Sequence, residues 1–599
     1  MKITHGLMAG QVLQRDRRGL GHAKITGTTH AAGDVEIRAG KSWQVAGKAK
    51  DGEFQAHLTG LKTGGPYRVQ LRIGKERLTV RDVFVGDVWI LAGQSNMEGV
   101  GNLCDAPKPH PLVRCFSMAD EWRRAEEPLH YRPEAVDAVH AGPNPPNREA
   151  LERGRKALLK GVSPGLAFGL EMYRRTGVPQ GLLACAHGGT SMAQWSPALR
   201  DKGGESLYGA MYRRYVKLGQ PVAGMLWYQG ESDANAEAVA KYMERMKELV
   251  AAVRRDTGLP RLPWYMVQIG RHTATEDPHS WNGVQEQQRR LPAVIHHLDV
   301  VPAVDLELDD GIHISGRAQQ ILGRRLARLT YRPGLALEKM EIVPTPVTTP
   351  AQQAMSLRLT YRNVAGRLES AGLPAGFALL NKHGHDTLGI FKTTLHGNQV
   401  LLHTGMVRAQ LERMTVSYGH GRLPHCNITD RAGMGLPAMQ AVPVPHDKSR
   451  APDCDHWQTT LLRGVKTLAE ASWARVSRAT GWRPAPLREP FGVLPKPADD
   501  KRVGVYVLRA TVTATERLDA MLKLAANAPF KLWCNGRLVW TDPAARVPID
   551  PDKYKVRLPL RRGKNELRLA FAPPSAGRHL GIFARIGSPR GKLDPRIQL

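Results

Sequence analysis

The chain has 599 residues, 42% of them hydrophobic and 23% charged, so it is an ordinary globular protein of about three or four domains rather than a disordered or fibrous one. Its 85 Lys and Arg against 55 Asp and Glu leave a net charge of +30. The basic residues are scattered and aromatics are only 6%, which argues against a nucleic-acid partner and favours a solvated basic surface, with an anionic or acidic-glycan substrate as a second reading.

Six cysteines in a chain of this length are no disulfide scaffold and carry no zinc spacing. Cys104 and Cys115 are a candidate disulfide pair; Cys185, Cys426, Cys454 and Cys534 complete the set. No apolar run of about 18 residues is present, so no membrane span is expected. The first residues lack the apolar core of a signal peptide. That reads as a cytoplasmic protein, or a periplasmic or secreted one if a signal has been removed. Composition does not bear on the oligomeric state.

Residues 1–83 alternate apolar and polar positions in short runs separated by Gly, Pro and Asp, which predicts a small β-sandwich. Residues 84–333 change to alternating strands and helices. Strands are expected at 85–92, 181–186, 222–228, 264–269 and 300–306, with helices at 165–176, 207–219, 236–255, 281–290 and 315–329. Such alternation predicts a parallel sheet with helices on both faces. Residues 102–160, rich in Pro, Arg and His, read as an irregular insertion forming a wall or lid. Residues 334–444 return to strand patterns. A Pro-containing link at 442–453 leads into residues 445–599, a β module expected to be jelly-roll-like, with a Pro-rich stretch at 482–497. Within it, Asn535-Gly536 between two apolar runs predicts a type I′ hairpin.

Five stretches in the α/β region carry candidate chemistry. Ser95 follows the strand at 85–92 and Gly93, where open α/β sheets place ligands. It is a candidate nucleophile, although serine there more often caps or turns. It is not the G-x-S-x-G elbow, because Met97 stands at the second Gly position. His187-Gly188-Gly189 follows the next strand, and two glycines let backbone N–H groups approach a ligand. Gln229, in WYQGESD at 227–233, offers a neutral side-chain donor. Asp310 and His313 are spaced so that the carboxylate reaches the imidazole, with Asp309 an alternative acid. Trp281 is read either as a sugar-stacking ring or as core, and Arg271 or Arg317 either as a carboxylate partner or as surface. Together Ser95, Asp310 and His313 form a nucleophile, orienter and base for acyl transfer. No metal and no cofactor are expected, because this acyl-transfer chemistry needs none.

The stretches VGDVWILAGQSNMEG at 85–99, HGGTSMAQW at 187–195, WYQGESD at 227–233 and DGIHIS at 310–315 resemble the sialate O-acetylesterase family of the SGNH-hydrolase superfamily. VLQRD at 12–16 and LPHCNITDRAGMGLPAM at 423–439 extend the resemblance over residues 1–440. It implies a flavodoxin-like SGNH-hydrolase core flanked by all-β sandwich or jelly-roll domains. It implies Ser95, Asp310 and His313 as the triad, and the oxyanion hole as Ser95, Gly189 and Gln229. Gln94, Trp195, Glu231, Trp281 and Arg271 are the expected substrate-binding residues. Gln229 stands where the superfamily often has Asn, and Ile314 where many members have Pro. The activity implied is deacetylation of carbohydrates, O-acetylated sialic acids foremost, with acetylxylan or another polysaccharide as the alternative. A glycan-binding protein with an inactive esterase core is the reading from another class.

Overall fold

In the computed structural model, residues 1–142, 146–346, 354–446, 456–462, 464–485, 492–494, 504–544, 554–572, 580–590 and 592–599 are described. Cys454, most of the 442–453 link and much of the 482–497 stretch lie outside the described residues.

The organising element is β1 (Glu76–Gly93), 18 residues long. Its first half closes an antiparallel sheet made by the preceding strands, among them Leu20–Thr28, Glu53–Lys62 and Gly64–Ile73. In Glu53–Lys62 the apolar Phe54, Ala56, Leu58 and Leu61 point inward and the residues between them outward, the period-2 pattern of a half-buried strand. These strands follow one continuous path around their own core of Ile25, Val35, Phe54, Val69 and Val83, rather than forming two separate sheets. The second half of β1, from Val83 onward, is buried throughout because strands flank it on both sides. The expected division near residue 83 therefore falls inside one unbroken strand.

The parallel sheet comprises β1, β2 (Val113–Phe116), β3 (Gln180–Ala184), β4 (Gly224–Tyr228), β5 (Trp264–Gln268) and β6 (Leu298–Pro302), in spatial order 2-3-1-4-5-6. The connection from β3 to β4 crosses β1, so the crevice at the carboxyl ends of β3, β1 and β4 is the topological switch point. Residues 102–160 are not simply irregular: β2 pairs in parallel with β3, and Trp122–Arg124 adds an antiparallel edge. A four-residue strand with Arg114 inside it carries too little periodicity to be read from sequence.

The helices that position the site are α1 (Ser95–Glu98), α2 (Pro164–Thr176), α3 (Leu207–Leu218), α4 (Tyr242–Asp256), α5 (Pro278–Arg290) and α6 (Gly316–Leu329). The single helix expected at 236–255 is broken after Val239. The break lets Tyr242 turn inward, where its hydroxyl donates to the Gln229 carbonyl at 2.9 Å. Among the described residues no helix is long and apolar enough to cross a membrane.

Strands between Ala336 and Pro443 share one core with the α/β region, including Leu357, Leu359 and Tyr418. Two arginines reinforce this junction, Arg325 by donating from Nε to the Gly433 carbonyl at 2.8 Å and Arg328 through a buried ion pair. Arg325 on α6 grips Asp305, and Arg328 grips Asp430 at 2.6 and 2.9 Å. Asp430 is fully buried and also accepts the N–H groups of Ala365, Ala432 and Met434. Asp430→Ala would strand a buried guanidinium and free those donors. We expect a loss of about 3–5 kcal/mol in urea unfolding; a loss below about 1 kcal/mol would show that the junction does not depend on the pair.

The C-terminal strands form two antiparallel sheets around a separate core of Leu508, Val512, Leu522, Leu524, Phe530 and Leu569. Its hairpin turn has Asn535 and Gly536 at φ +48° and +87°, the two positive values a type I′ turn requires. The candidate Cys104–Cys115 bridge is absent. Both thiols are free, Cys115 being buried in β2 and Cys104 exposed in a short turn.

Candidate active site

Gly93 ends β1 at φ +131°, and a Cβ there would sit 2.1 Å from the Tyr228 carbonyl oxygen of β4. Only glycine lets the chain turn out of the sheet at this close approach. Gln94 is extended, and Ser95 opens the single-turn α1. As the first residue of that turn, Ser95 has an N–H with no intrahelical acceptor.

His313 arrives on the loop between β6 and α6. Its Nε2 lies 3.1 Å from Ser95 Oγ, and its Nδ1 lies 2.8 Å from Asp310 Oδ2. Asp310 Oδ1 accepts from the N–H groups of Ile312 and His313 at 3.0 and 2.8 Å, and Lys160 approaches Oδ2 at 3.2 Å. Partial burial would raise the Asp310 carboxyl. The Ile312 N–H, the His313 ring and the His313 N–H outweigh it and hold the group well below the ordinary carboxylate range. Asp309 is turned away and accepts from the N–H groups of Asn102 and Gly316. The geometry thus pairs Asp310, not Asp309, with the imidazole.

The loop after β3 brings His187, Gly188 and Gly189 to the same crevice. A Cβ on Gly188 would lie 3.4 Å from that of Ser95. Gly189 has φ +71° and borders open space.

The remaining expected residues are placed differently. Gln229 is fully buried, and its Nε2 donates to Asp233 Oδ2 at 2.6 Å and to the Thr190 carbonyl at 3.1 Å, so its donors are committed within the protein. Trp195 is 0% exposed and packs edge-on against Trp227, with its Nε1 on Thr190 Oγ1. Trp281 is 3% exposed and donates to the Gly270 carbonyl. Both rings are core residues, with no face left for a sugar. Glu231 is buried and holds the Asn96 amide at 2.9 Å. Gln94 is buried against the Gly230 and Ser232 backbone. These five are supports of the site rather than its surface. Arg271 differs. It is half-buried, and among the described residues its Nε has no partner. It sits on the loop whose Thr273 N–H donates to the Gly311 carbonyl, beside His313.

Residues 85–332 match the family described as carbohydrate esterase, sialic acid-specific acetylesterase. A probable carbohydrate esterase of Arabidopsis thaliana is 30% identical over 264 residues, 40% of this chain and 88% of the relative. The chain belongs to this carbohydrate esterase family. Human sialate O-acetylesterase is 28% identical over 241 residues, 35% of this chain; the chain spans 45% of that relative's length. A solved carbohydrate acetylesterase from Xanthomonas citri shares the fold, with TM-score 0.54 and 21% identity over 73% of this chain and 99% of that one.

Sequence reasoning about this carbohydrate esterase passed over Asn96, Glu98 and Arg132. Asn96 is fully buried; its Oδ1 accepts from the Ile314 N–H at 3.0 Å and its Nδ2 donates to Glu231. It thereby ties the turn that carries Ser95 to the His313 loop. The signal was present, since Asn96 and Glu98 lie in the same conspicuous stretch as Ser95. Arg132 gave none, because its partners are far away in sequence.

Proposed function

We propose that this esterase removes acetyl groups from carbohydrates through an acyl-enzyme on Ser95. The observation that carries the reading is the unbroken line from Ser95 Oγ through the His313 ring to the Asp310 carboxylate, at 3.1 and 2.8 Å. His313 Nε2 takes the Ser95 proton as Oγ attacks the acetyl carbonyl carbon. Asp310 holds the ring with its proton on Nδ1 and stabilises the imidazolium. The N–H groups of Ser95 and Gly189 receive the developing oxyanion. Collapse breaks the ester bond, and the sugar oxygen leaves with the proton from His313. Water, deprotonated by the same ring, then attacks the acetyl carbonyl and releases acetate and free Ser95. Gln229 has no direct place in this scheme unless it gives up its bond to Asp233 or to Thr190.

O-acetylated sialic acid is the substrate we favour. It carries a carboxylate, and the half-buried Arg271 guanidinium beside the His313 loop has an Nε without a partner among the described residues. A planar guanidinium suits bidentate carboxylate recognition. The test is acetate release from 4-nitrophenyl acetate, O-acetylated sialic acid and acetylated xylan. We expect kcat/KM on the sialic acid to exceed that on xylan by about tenfold or more, with Arg271→Ala removing most of that margin, since a charged hydrogen-bonded pair is worth about 1.5–3 kcal/mol. Preference for xylan would move the substrate to neutral polysaccharides, and glycan binding without any acetate release would overturn the esterase reading.

A further inference from the structure

Residues 102–160 do more than edge the sheet, for they reach the back of the loop that carries Gly188 and Gly189. Glu98, the last residue of α1, accepts the Gly188 N–H on Oε2 at 2.5 Å. Its other oxygen lies 3.1 Å from Arg132 Nε. Arg132 in turn donates from Nη1 to His187 Nε2 at 2.7 Å. A guanidinium can only donate, so His187 Nε2 carries no proton there. The ring proton of His187 then sits on Nδ1 and donates to His140 Nδ1 at 3.1 Å. Burial, helped by the Arg132 charge, pushes His187 down to about 4 and keeps it neutral. His130 adds a hydrogen bond from Nδ1 to the Glu98 carbonyl at 3.0 Å.

The consequence lies in the Gly188 peptide. Its N–H is committed to Glu98, so it is not free to receive an oxyanion. That same bond sets the orientation of the loop and hence the direction of the next N–H, on Gly189. An oxyanion hole works because its donors are aimed before the charge develops. Burial raises the Glu98 carboxyl, and the Arg132 charge and the Gly188 N–H oppose the rise. Arg132 also offsets a negative charge that would otherwise repel the oxyanion forming nearby.

We propose that Glu98, braced by Arg132, is a positioning residue that fixes the Gly188 peptide and so aims the Gly189 N–H at the carbonyl oxygen of an ester on Ser95. The proposal rests on the acyl-enzyme reading above. It assigns residues 102–160 a part in shaping the transition-state site from behind.

The experiment compares full-length wild type, Glu98→Ala and Glu98→Gln on 4-nitrophenyl acetate, with circular dichroism to confirm folding. Loss of one oxyanion donor costs about 10²–10³-fold in kcat, so a misaimed one is expected to cost about 10–100-fold. KM should stay within about threefold, because the interaction forms only in the transition state. Glu98→Gln keeps an oxygen to accept from Gly188 but sets an NH₂ against the Arg132 donor, so it should recover part of the lost kcat. Should Glu98→Ala not fold, Glu98→Asp takes its place: it keeps the charge but falls one methylene short of Gly188, and the same loss in kcat is expected. A kcat in Glu98→Ala or Glu98→Asp near that of wild type would overturn the proposal. So would a Gln variant as poor as the Ala or Asp one, or a loss confined to KM. Failure of the acyl-enzyme reading looks different: wild type itself would then release no acetate, or Ser95→Ala would release it as well as wild type.

Discussion

Ser95→Ala is expected to lower kcat for acetate release by about 10⁴-fold or more while the thermal unfolding curve stays where wild type has it. The size follows from chemistry. Without Oγ there is no acyl-enzyme, and the His313 ring has no proton to take from the chain. What survives is the modest acceleration from bound substrate and oriented N–H donors. The stability forecast follows from structure. Ser95 is half-buried at the mouth of the crevice and its side chain makes one hydrogen bond, to His313. Removing one partly solvated hydroxyl changes stability by about 1 kcal/mol at most. The check is single-turnover acetate release together with a melting curve. Turnover within tenfold of wild type would end the case for Ser95 as the nucleophile.

Asp310→Asn should be nearly as damaging, at about 10³–10⁴-fold in kcat with KM little changed. The carboxylate accepts on both oxygens, from two backbone N–H groups on Oδ1 and from the imidazole on Oδ2. An asparagine has one acceptor and one donor in their place. If its oxygen keeps the backbone bonds, its NH₂ faces His313 Nδ1 and forces the ring proton onto Nε2. The base then points a proton at Ser95 instead of a lone pair. The Asp310 side chain is 37% exposed and Lys160 lies beside it, so water can partly relieve the mismatch, which places the loss below that of Ser95→Ala. In wild type, the hydrogen bonds that hold the Asp310 carboxyl well below the usual range keep it ionised through the weakly acidic region. Protonation of Asp310 therefore does not set the acid limb of the rate profile. A loss under tenfold, or a wild-type acid limb that disappears in the variant, would contradict this account.

Much of the α/β framework was legible because its signals are local. An apolar run ending in glycine, a helix with a Ser or Asp cap, and an Asn-Gly between two strands each state their own conformation within a few residues. The 85–92 strand, the serine after it and the Asp310–His313 spacing are of this kind. Val113–Phe116 was illegible because four residues with an arginine among them make a strand only once β3 is alongside. The aromatic and polar candidates failed for a related reason. Trp195 and Trp281 have the composition of a sugar site and Gln229 that of an oxyanion donor, but whether a side chain faces solvent depends on what packs over it. Trp227 covers Trp195, and Asp233 and Thr190 occupy the Gln229 amide.

The sequence by itself determined the class of sheet, the turn that carries Ser95 and the Asp310–His313 spacing, because each depends on the period and conformation of neighbouring residues. Only the tertiary structure decided which of Asp309 and Asp310 faces the ring, which candidates are buried, and that Glu98 and Arg132 stand behind the Gly188 loop. Those facts depend on contacts between residues as far apart as Asn96 and Ile314, 218 positions along the chain. Such contacts are set by the packing of helices and loops around β1, and no local pattern in the chain encodes them.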